Sequence, residues 1–238
     1  MGQADHLIVD SEHTKRDVMH LYGIAEGKLT VVYPSSPQHQ PVRDPERIAD
    51  TKRRLGIDGP YLLYVGRIEL RKNVSGLVRA FQLLKTRGVF DGLPVLAGPR
   101  DADACHPAGS PPPPGRRDDV LVTGLVDEDD LPALYSGALA FCFPSFYEGF
   151  GLPVLEALSC GAPVLTSPVS SLPEVAADAA LYANPYEVEE IASALERTIH
   201  DGALREELIE KGYRQAAQFD GAEAARRAIA VYERAASA

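Results

Sequence analysis

From residue 60 onward the sequence alternates short apolar runs with segments that repeat apolar residues at helical spacing. Tyr61–Val65 is a continuous apolar run, typical of a strand buried on both faces. Residues 73–86 carry the stripe of an amphipathic helix. Further strands are predicted at residues 93–97, 120–123, 139–143, 163–166 and 181–182. Strands separated by helices form βαβ units, so the sequence predicts an α/β fold, a Rossmann-like parallel sheet with helices on both faces.

The sequence outside this alternation predicts three further regions. Residues 1–34 read as one strand–helix–strand unit, which cannot bury both faces of its own sheet and should join a neighbouring sheet. Residues 35–59 are predicted to be a linker that is rich in proline at its start, and residues 60–238 to be the main domain. Within that domain, residues 101–119 contain Pro111–Pro114 and predict a flexible polyproline-like loop. Helices are predicted at residues 188–199 and 222–235, with Gly202 and Gly212 interrupting the segment between them.

Charge and cysteine content exclude several classes of function. The formal net charge of −10 repels phosphate backbones, so nucleic acid is not expected as a partner. No apolar run has the length of a membrane span, and Met1–Asp10 lacks the pattern of a secretory signal. The three cysteines, Cys105, Cys142 and Cys160, have no C-x-x-C spacing. These features favour a cytoplasmic protein.

Cationic residues follow the strand at residues 61–65. Gly66 permits close approach to the backbone, Arg67 can hold phosphate oxygens in a fork, and Lys72 can supply a point charge. With Arg71 these cations form a local excess in an acidic chain. The carboxyl ends of parallel strands are where such folds bind ligands, which favours an anion site here. Solvated surface cations are the alternative explanation.

Two further clusters follow later strands. The segment FPSFYEGFGLPVLE places Glu148 and a glycine-rich turn, Gly149 to Gly151, before a helix that carries Glu156. Free N–H groups at the start of that helix predict an anion site, and carboxylates beside it can accept hydrogen bonds from hydroxyls. Gly124 and Leu125, after the strand at 120–123, could read a nucleobase edge with their backbone. An ordinary tight turn, an exposed helix glutamate and a plain strand-to-helix turn are the alternatives.

Four segments together carry a specific family resemblance: YVGRIELRKN at 64–73, VTGLVDEDDLPALYSGA at 122–138, FPSFYEGFGLPVLEALSCGAPVLTS at 143–167 and SLPEVAADAALYANP at 171–185. They resemble the C-terminal, donor-binding domain of family 4 glycosyltransferases, which have the GT-B fold. Glu148 and Glu156 match the E-x(7)-E signature of that family. Bacterial mannosyltransferase-like members that build polysaccharide are the most similar subgroup.

The resemblance implies roles for individual residues. Arg67 and Lys72 would hold the donor diphosphate, together with backbone N–H groups near Gly151 and Leu152. Glu148, with the backbone of Phe150 and Gly151, would contact the transferred sugar, and Glu156 would bind the ribose hydroxyls. The full predicted donor set is Gly66, Arg67, Lys72, Gly124, Leu125, Glu148, Gly149, Phe150, Gly151, Leu152 and Glu156, of which Arg67, Lys72 and Glu148 are the predicted catalytic residues.

The resemblance also implies a reaction: retaining transfer of a hexose, with mannose from GDP-mannose as the leading donor, to a glycan or lipid-linked acceptor. Neither a cofactor nor a metal ion is expected, and Asp101 and Asp103 are not expected to be metal ligands. The N-terminal acceptor domain of the family is not matched, and residues 4–34 resemble its last strand–helix–strand unit.

Several alternatives stay open at this point. The chain could be one half of a split transferase, or a nucleotide-binding module without activity. A homodimer or a partner chain could form through residues 4–34. A peripheral membrane contact of the full enzyme is a further alternative.

Overall fold

The computed structural model describes residues 4–35, 39–99, 115–117 and 120–236. Nine strands lie in these ranges, in two separate sheets. Their bounds are β1 Leu7–Val9, β2 Leu29–Val31, β3 Tyr61–Val65, β4 Leu93–Ala97, β5 Gly115–Arg117, β6 Val120–Gly124, β7 Ala140–Phe143, β8 Val164–Thr166 and β9 Ala180–Tyr182.

The large sheet has the strand order β5-β6-β4-β3-β7-β8-β9. Six of its strands run parallel, which confirms the predicted Rossmann-like α/β class. The chain builds outward from β3 first through β4 and β6, and then on the other side through β7, β8 and β9. The order therefore reverses between β3 and β7, and the crevice at such a switch point is where open α/β sheets bind ligands.

The edge strand β5 corrects the prediction for residues 101–119. It pairs antiparallel with β6, Gly115 opposite Val122 and Arg117 opposite Val120, so the end of the predicted loop extends the sheet. Neither apolar periodicity nor β-branched residues mark the sequence GRR as a strand. Residues 100–114 and 118–119 lie outside the described residues, and with them most of the predicted loop.

Nine α-helices accompany the strands in the described part of the chain. They are α1 Glu12–Tyr22, α2 Pro45–Leu55, α3 Val74–Thr86, α4 Leu131–Ser136, α5 Leu152–Ser159, α6 Leu172–Ala176, α7 Val188–His200, α8 Gly202–Ala216 and α9 Gly221–Ala236. Single 3₁₀ turns precede β2, α3 and α4. The predicted helices at 73–86, 188–199 and 222–235 correspond to α3, α7 and α9.

Helix α2 lies inside the segment that was predicted to be a linker, residues 35–59. The Asp44 side chain caps it by accepting from the Glu46 N–H at 3.0 Å, Pro45 opens it and Gly56 ends it in the left-handed conformation. Thr51 and Ile57 are buried. These start and stop signals are present in the sequence, and the proline-rich stretch before them obscured the helix.

Helix α8 corrects the predicted interruptions at Gly202 and Gly212. Asp201 accepts from the Leu204 N–H at 2.9 Å, so Gly202 begins the helix and does not break it. Gly212 lies inside α8, where an added Cβ would come within 3.2 Å of Leu158. The glycine therefore allows α8 and α5 to approach each other closely.

The core lies around the large sheet. Tyr61 and Tyr64 of β3 are fully buried, and each hydroxyl donates to a carbonyl, Tyr61 to Leu134 at 2.6 Å and Tyr64 to Arg67 at 2.8 Å. Burying a hydroxyl without a partner costs free energy, so these bonds make tyrosine tolerable there. The Tyr64 bond also fixes the chain immediately after β3, where the predicted cations begin.

The N-terminal strand–helix–strand unit forms as predicted. Its β1 and β2 pair in parallel as a two-stranded sheet that is not joined to the large sheet. Val9, Leu29 and Val31 are its buried hydrophobic residues. The unit rests on the main domain through polar contacts: the Glu174 carboxylate accepts from the backbone N–H groups of Glu12 and His13, at 2.8 and 2.7 Å. The assignment of this unit to a neighbouring domain stays a prediction.

Candidate functional site

The site begins at Gly66, directly after β3. Its φ of 145° lies in a region that favours glycine, and its N–H donates to the Ala97 carbonyl at 2.8 Å. An added Cβ would lie 3.1 Å from Lys72 Nζ. Gly66 thus leaves room for the Lys72 ammonium group beside the end of β3. Lys72 Nζ also lies 5.2 Å from the centre of the Phe143 ring, at the end of β7. The ammonium group therefore lies at the β3–β7 switch point.

Glu148 is held from both sides. Glu148 is only 8% exposed. The Ser145 hydroxyl donates to Oε1 at 2.9 Å, and the Arg71 guanidinium forms an ion pair with Oε2 at 2.7 Å. Arg71 also donates to the Tyr147 carbonyl at 2.6 Å and pairs with Glu69 at 2.5 Å. These contacts fix the carboxylate in one orientation while it keeps further lone pairs for a ligand.

The glycine-rich turn after Glu148 is anchored through its carbonyl groups. Ser171 donates its hydroxyl to the carbonyls of Glu148 and Phe150, at 2.9 and 2.8 Å. The Gly149 carbonyl accepts from Ser11 at 2.6 Å and from Thr14 at 3.2 Å. The turn is therefore a rigid element between α6 and the N-terminal unit.

The start of α5 leaves backbone donors for an anion. Gly151, with φ of 109°, precedes the helix and makes no side-chain cap. Pro153 has no N–H, and Val154 donates back to the Gly151 carbonyl at 2.9 Å. Within the described part of the chain, the backbone N–H groups of Gly151 and Leu152 donate no hydrogen bond. Together with the helix dipole they fit the predicted diphosphate site.

Glu156 is a half-buried residue, so the alternative of an exposed helix glutamate is wrong. The buried Tyr135 hydroxyl of α4 donates to its Oε2 at 2.9 Å. Burial raises the pKa of the Glu156 carboxyl above its usual 4.5, and the bond from Tyr135 and the charges of His39 and Lys72 oppose that rise. The carboxylate is thus oriented and partly desolvated at the site.

The raised pKa of Glu156 predicts how stability depends on pH. Because folding raises this pKa, the native state binds more protons than the unfolded state, and stability from this group falls as pH rises through the native value. We therefore expect Glu156→Gln to be more stable than the wild type at neutral pH, with the difference vanishing below the usual value of 4.5. Thermal unfolding from acidic to neutral pH measures this, with the exposed Glu210→Gln as control. An advantage that is constant over pH would contradict the prediction.

The remaining predicted residues lie around this centre. Gly124, with φ of 74°, accepts from the Gly98 N–H at 2.8 Å, which aligns the β6 turn with the β4 turn. Leu125 is 80% exposed and Leu152 is 40% exposed, both open to a ligand. The Phe150 side chain instead contacts Tyr33 and Phe219, so only its backbone faces the turn. The Arg67 side chain is exposed, and its carbonyl is fixed by Tyr64.

Sequence reasoning missed several partners of these residues. Arg71 was grouped with the phosphate-binding cations, but its guanidinium pairs with Glu148. Ser145 and Tyr135, which hold the two signature carboxylates, carried no recognised signal, because a pair such as Tyr135 and Glu156 forms only when α4 and α5 pack together.

No metal site is apparent in the described ranges, where no group of three or more His, Cys, Asp or Glu side chains could hold an ion. Asp101 and Asp103 lie outside those ranges. Within them, too, no helix combines the length and apolar composition needed to cross a bilayer.

The fold and site define an α/β domain that presents cations, free N–H groups and oriented carboxylates at the carboxyl ends of its strands. Residues 48–215 match the family model of glycosyl transferases group 1. The chain therefore belongs to the group 1 glycosyltransferase family, which confirms the resemblance seen in the sequence.

Known proteins of this kind resemble the chain along nearly its whole length. It is 34% identical to the O-antigen chain mannosyltransferase B of Escherichia coli, over 92% of this chain and 58% of that protein. It is 32% identical to a serotype-specific mannosyltransferase WbdA of Escherichia coli, over 98% of this chain and 29% of that protein. A glycosyltransferase structure from Rickettsia africae superposes with a TM-score of 0.81 at 16% identity, over 97% of this chain and 63% of that one. The chain thus spans less than two thirds of each of these proteins.

Proposed function

We propose that the chain is the donor-binding part of a retaining glycosyltransferase that transfers mannose from GDP-mannose to a glycan or lipid-linked acceptor in the cytoplasm. The observation that carries the proposal is the grouping at the β3–β7 switch point. There Lys72 lies beside the Phe143 ring, and its charge acts on the Glu156 carboxylate. The free N–H groups of Gly151 and Leu152 follow Glu148 along the chain, and both carboxylates are oriented by hydrogen bonds. This set matches a nucleotide sugar, which has an anionic centre between two polyhydroxyl groups.

The chemistry follows from where charge develops. As the bond between sugar and diphosphate breaks, negative charge grows on the diphosphate, and Lys72, Arg67 and the start of α5 stabilise it without a metal ion. Positive charge grows on the sugar ring, and the Glu148 carboxylate, held by Arg71 and Ser145, stabilises that charge. The same carboxylate accepts a hydrogen bond from a hydroxyl of the sugar. Glu156 accepts from the ribose hydroxyls.

The sugar and the acceptor are proposed on separate grounds. Mannose as the donor sugar rests on the names of the Escherichia coli relatives, both of which are mannosyltransferases. We propose that the acceptor lies on the side of the N-terminal unit, because an isolated two-stranded sheet is marginally stable and further strands would complete it. Catalysis needs donor and acceptor in one cleft from which water is excluded.

Calorimetric titration with GDP, UDP and ADP in the presence of EDTA tests the proposal. We expect one nucleotide, GDP, to bind without metal, and Glu156→Ala to weaken its binding by roughly tenfold, since a hydrogen bond to a charged group is lost. Glu210→Ala, at an exposed position on α8, serves as the matched control. Binding of UDP alone would overturn the choice of donor and keep the class of reaction. Absence of binding to any of the three would overturn the proposed function.

A further inference from the structure

In the part of the chain that the structure describes, three buried side-chain atoms of two half-buried residues have no hydrogen-bond partner. They belong to Asp10, through Oδ1, and to His39, through both ring nitrogens. Both residues lie outside the segment that matches the family model, residues 48–215. A buried polar atom without a partner costs free energy, and such atoms in native proteins call for a missing partner such as a ligand.

Asp10 lies against the glycine-rich turn of the candidate site. It directly follows β1, at the carboxyl end of that strand, and its Oδ2 would lie 2.9 Å from a Cβ added to Gly149. Gly149 is the residue after Glu148. The lack of a side chain at Gly149 therefore lets a second carboxylate approach the turn that carries the first.

The contacts around Asp10 fix it in this place. Ser11, the next residue, donates to the Gly149 carbonyl at 2.6 Å, and Thr14 donates to the same atom at 3.2 Å. The hydroxyl groups of Ser11 and Thr14 thus donate to the turn, whereas the Asp10 carboxylate makes none of the hydrogen bonds among the described residues. An acceptor held rigidly beside the sugar site with an unfilled lone pair is suited to a hydroxyl.

We propose that Asp10 is a ligand of the transferred hexose and accepts a hydrogen bond from one of its hydroxyls beside Gly149. This inference rests on the proposed function. The N-terminal unit then contributes directly to the donor site, and recognition of the sugar depends on a residue outside the segment that matches the family model, residues 48–215.

A structural role of Asp10 and a ligand-binding role predict different effects of its removal on stability. If the carboxylate served the fold, removing it would destabilise the protein. If it awaits a ligand, Asp10→Ala removes an unsatisfied buried oxygen, so the ligand-free protein is at least as stable as the wild type while sugar recognition is lost.

The test compares the affinities of GDP and GDP-mannose in calorimetry, with thermal midpoints of the ligand-free proteins. We expect Asp10→Ala to keep its affinity for GDP and its midpoint, and to bind GDP-mannose roughly tenfold more weakly. Asp10→Asn, which retains an uncharged oxygen acceptor, should fall between Asp10→Ala and the wild type. Asp17→Ala is the matched control, because Asp17 bonds to the Tyr147 hydroxyl and carries the same charge near the same turn.

Each outcome decides the inference. An unchanged ratio of GDP-mannose to GDP affinity in Asp10→Ala would overturn it, as would an equal loss in Asp17→Ala, which would show a general effect of charge. Weaker binding of both ligands together with a lower midpoint would also overturn it, in favour of a structural role. If the wild type binds neither GDP nor GDP-mannose, the proposed function itself is overturned, and the wild type alone shows this.

Discussion

Replacing Glu148 by glutamine is expected to lower the rate of sugar transfer by ten- to a hundredfold while leaving the affinity for the nucleoside diphosphate nearly unchanged, the range that follows from losing a hydrogen bond to a charged group. The residue is 8% exposed and its carboxylate is paired with Arg71 at 2.7 Å. The amide removes the negative charge that faces the sugar. It also turns an N–H donor toward either Arg71 or the Ser145 hydroxyl, both of which donate to the native carboxylate.

The steady-state rate and the calorimetric affinity for GDP separate this effect from damage to the fold. Glu210→Gln, an exposed change of the same chemistry on α8, should leave both values unchanged. A Glu148→Gln protein with full transfer activity would contradict the role proposed for this carboxylate. A protein that loses rate and GDP affinity in parallel would show that Glu148 organises the whole site and not the sugar alone.

Strands β3, β4 and β7 of the large sheet were predictable because they are buried on both faces. A parallel strand under helices needs an unbroken apolar run, and YLLYV, LPVLA and AFCF supply it in β3, β4 and β7. The carboxyl ends of such strands are where a ligand is expected, and the sequence predicts Gly66, Lys72, Glu148 and Glu156 at that edge. The strand order that creates the switch point was not part of that prediction.

The elements that sequence analysis missed lack this signal. Strand β5 lies at an edge, and helix α2 is a mostly polar helix on which Thr51 is the one buried residue. Local patterns therefore described them as loop and linker. The caps of α2 at Asp44 and Gly56 were the better guide, because capping depends on neighbouring residues alone.

The pairs that orient the site could not be found in the sequence for a different reason. Arg71 and Glu148 are far apart along the chain and meet only because β3 and β7 are neighbours in the sheet. Tyr135 reaches Glu156 across the contact between α4 and α5. Sequence motifs identify the residues that face a ligand, whereas the residues that hold them in place are selected by packing.

The turns after β3 and β4 illustrate this dependence on packing, and Gly98→Ala is expected to destabilise the protein by about 3 kcal/mol or more, from strain in the backbone and overpacking. An added Cβ would lie 2.2 Å from the Gly66 carbonyl oxygen, and φ at Gly98 is 137°. Because the atom it meets is backbone, relief must move Gly66 and with it the contact to Lys72. Gly88→Ala, with φ of 67° and open space around the added Cβ, should cost only about 1 kcal/mol. Chemical denaturation of both variants measures the difference, and equal losses would show that φ, and not the approach of the two turns, requires glycine at position 98.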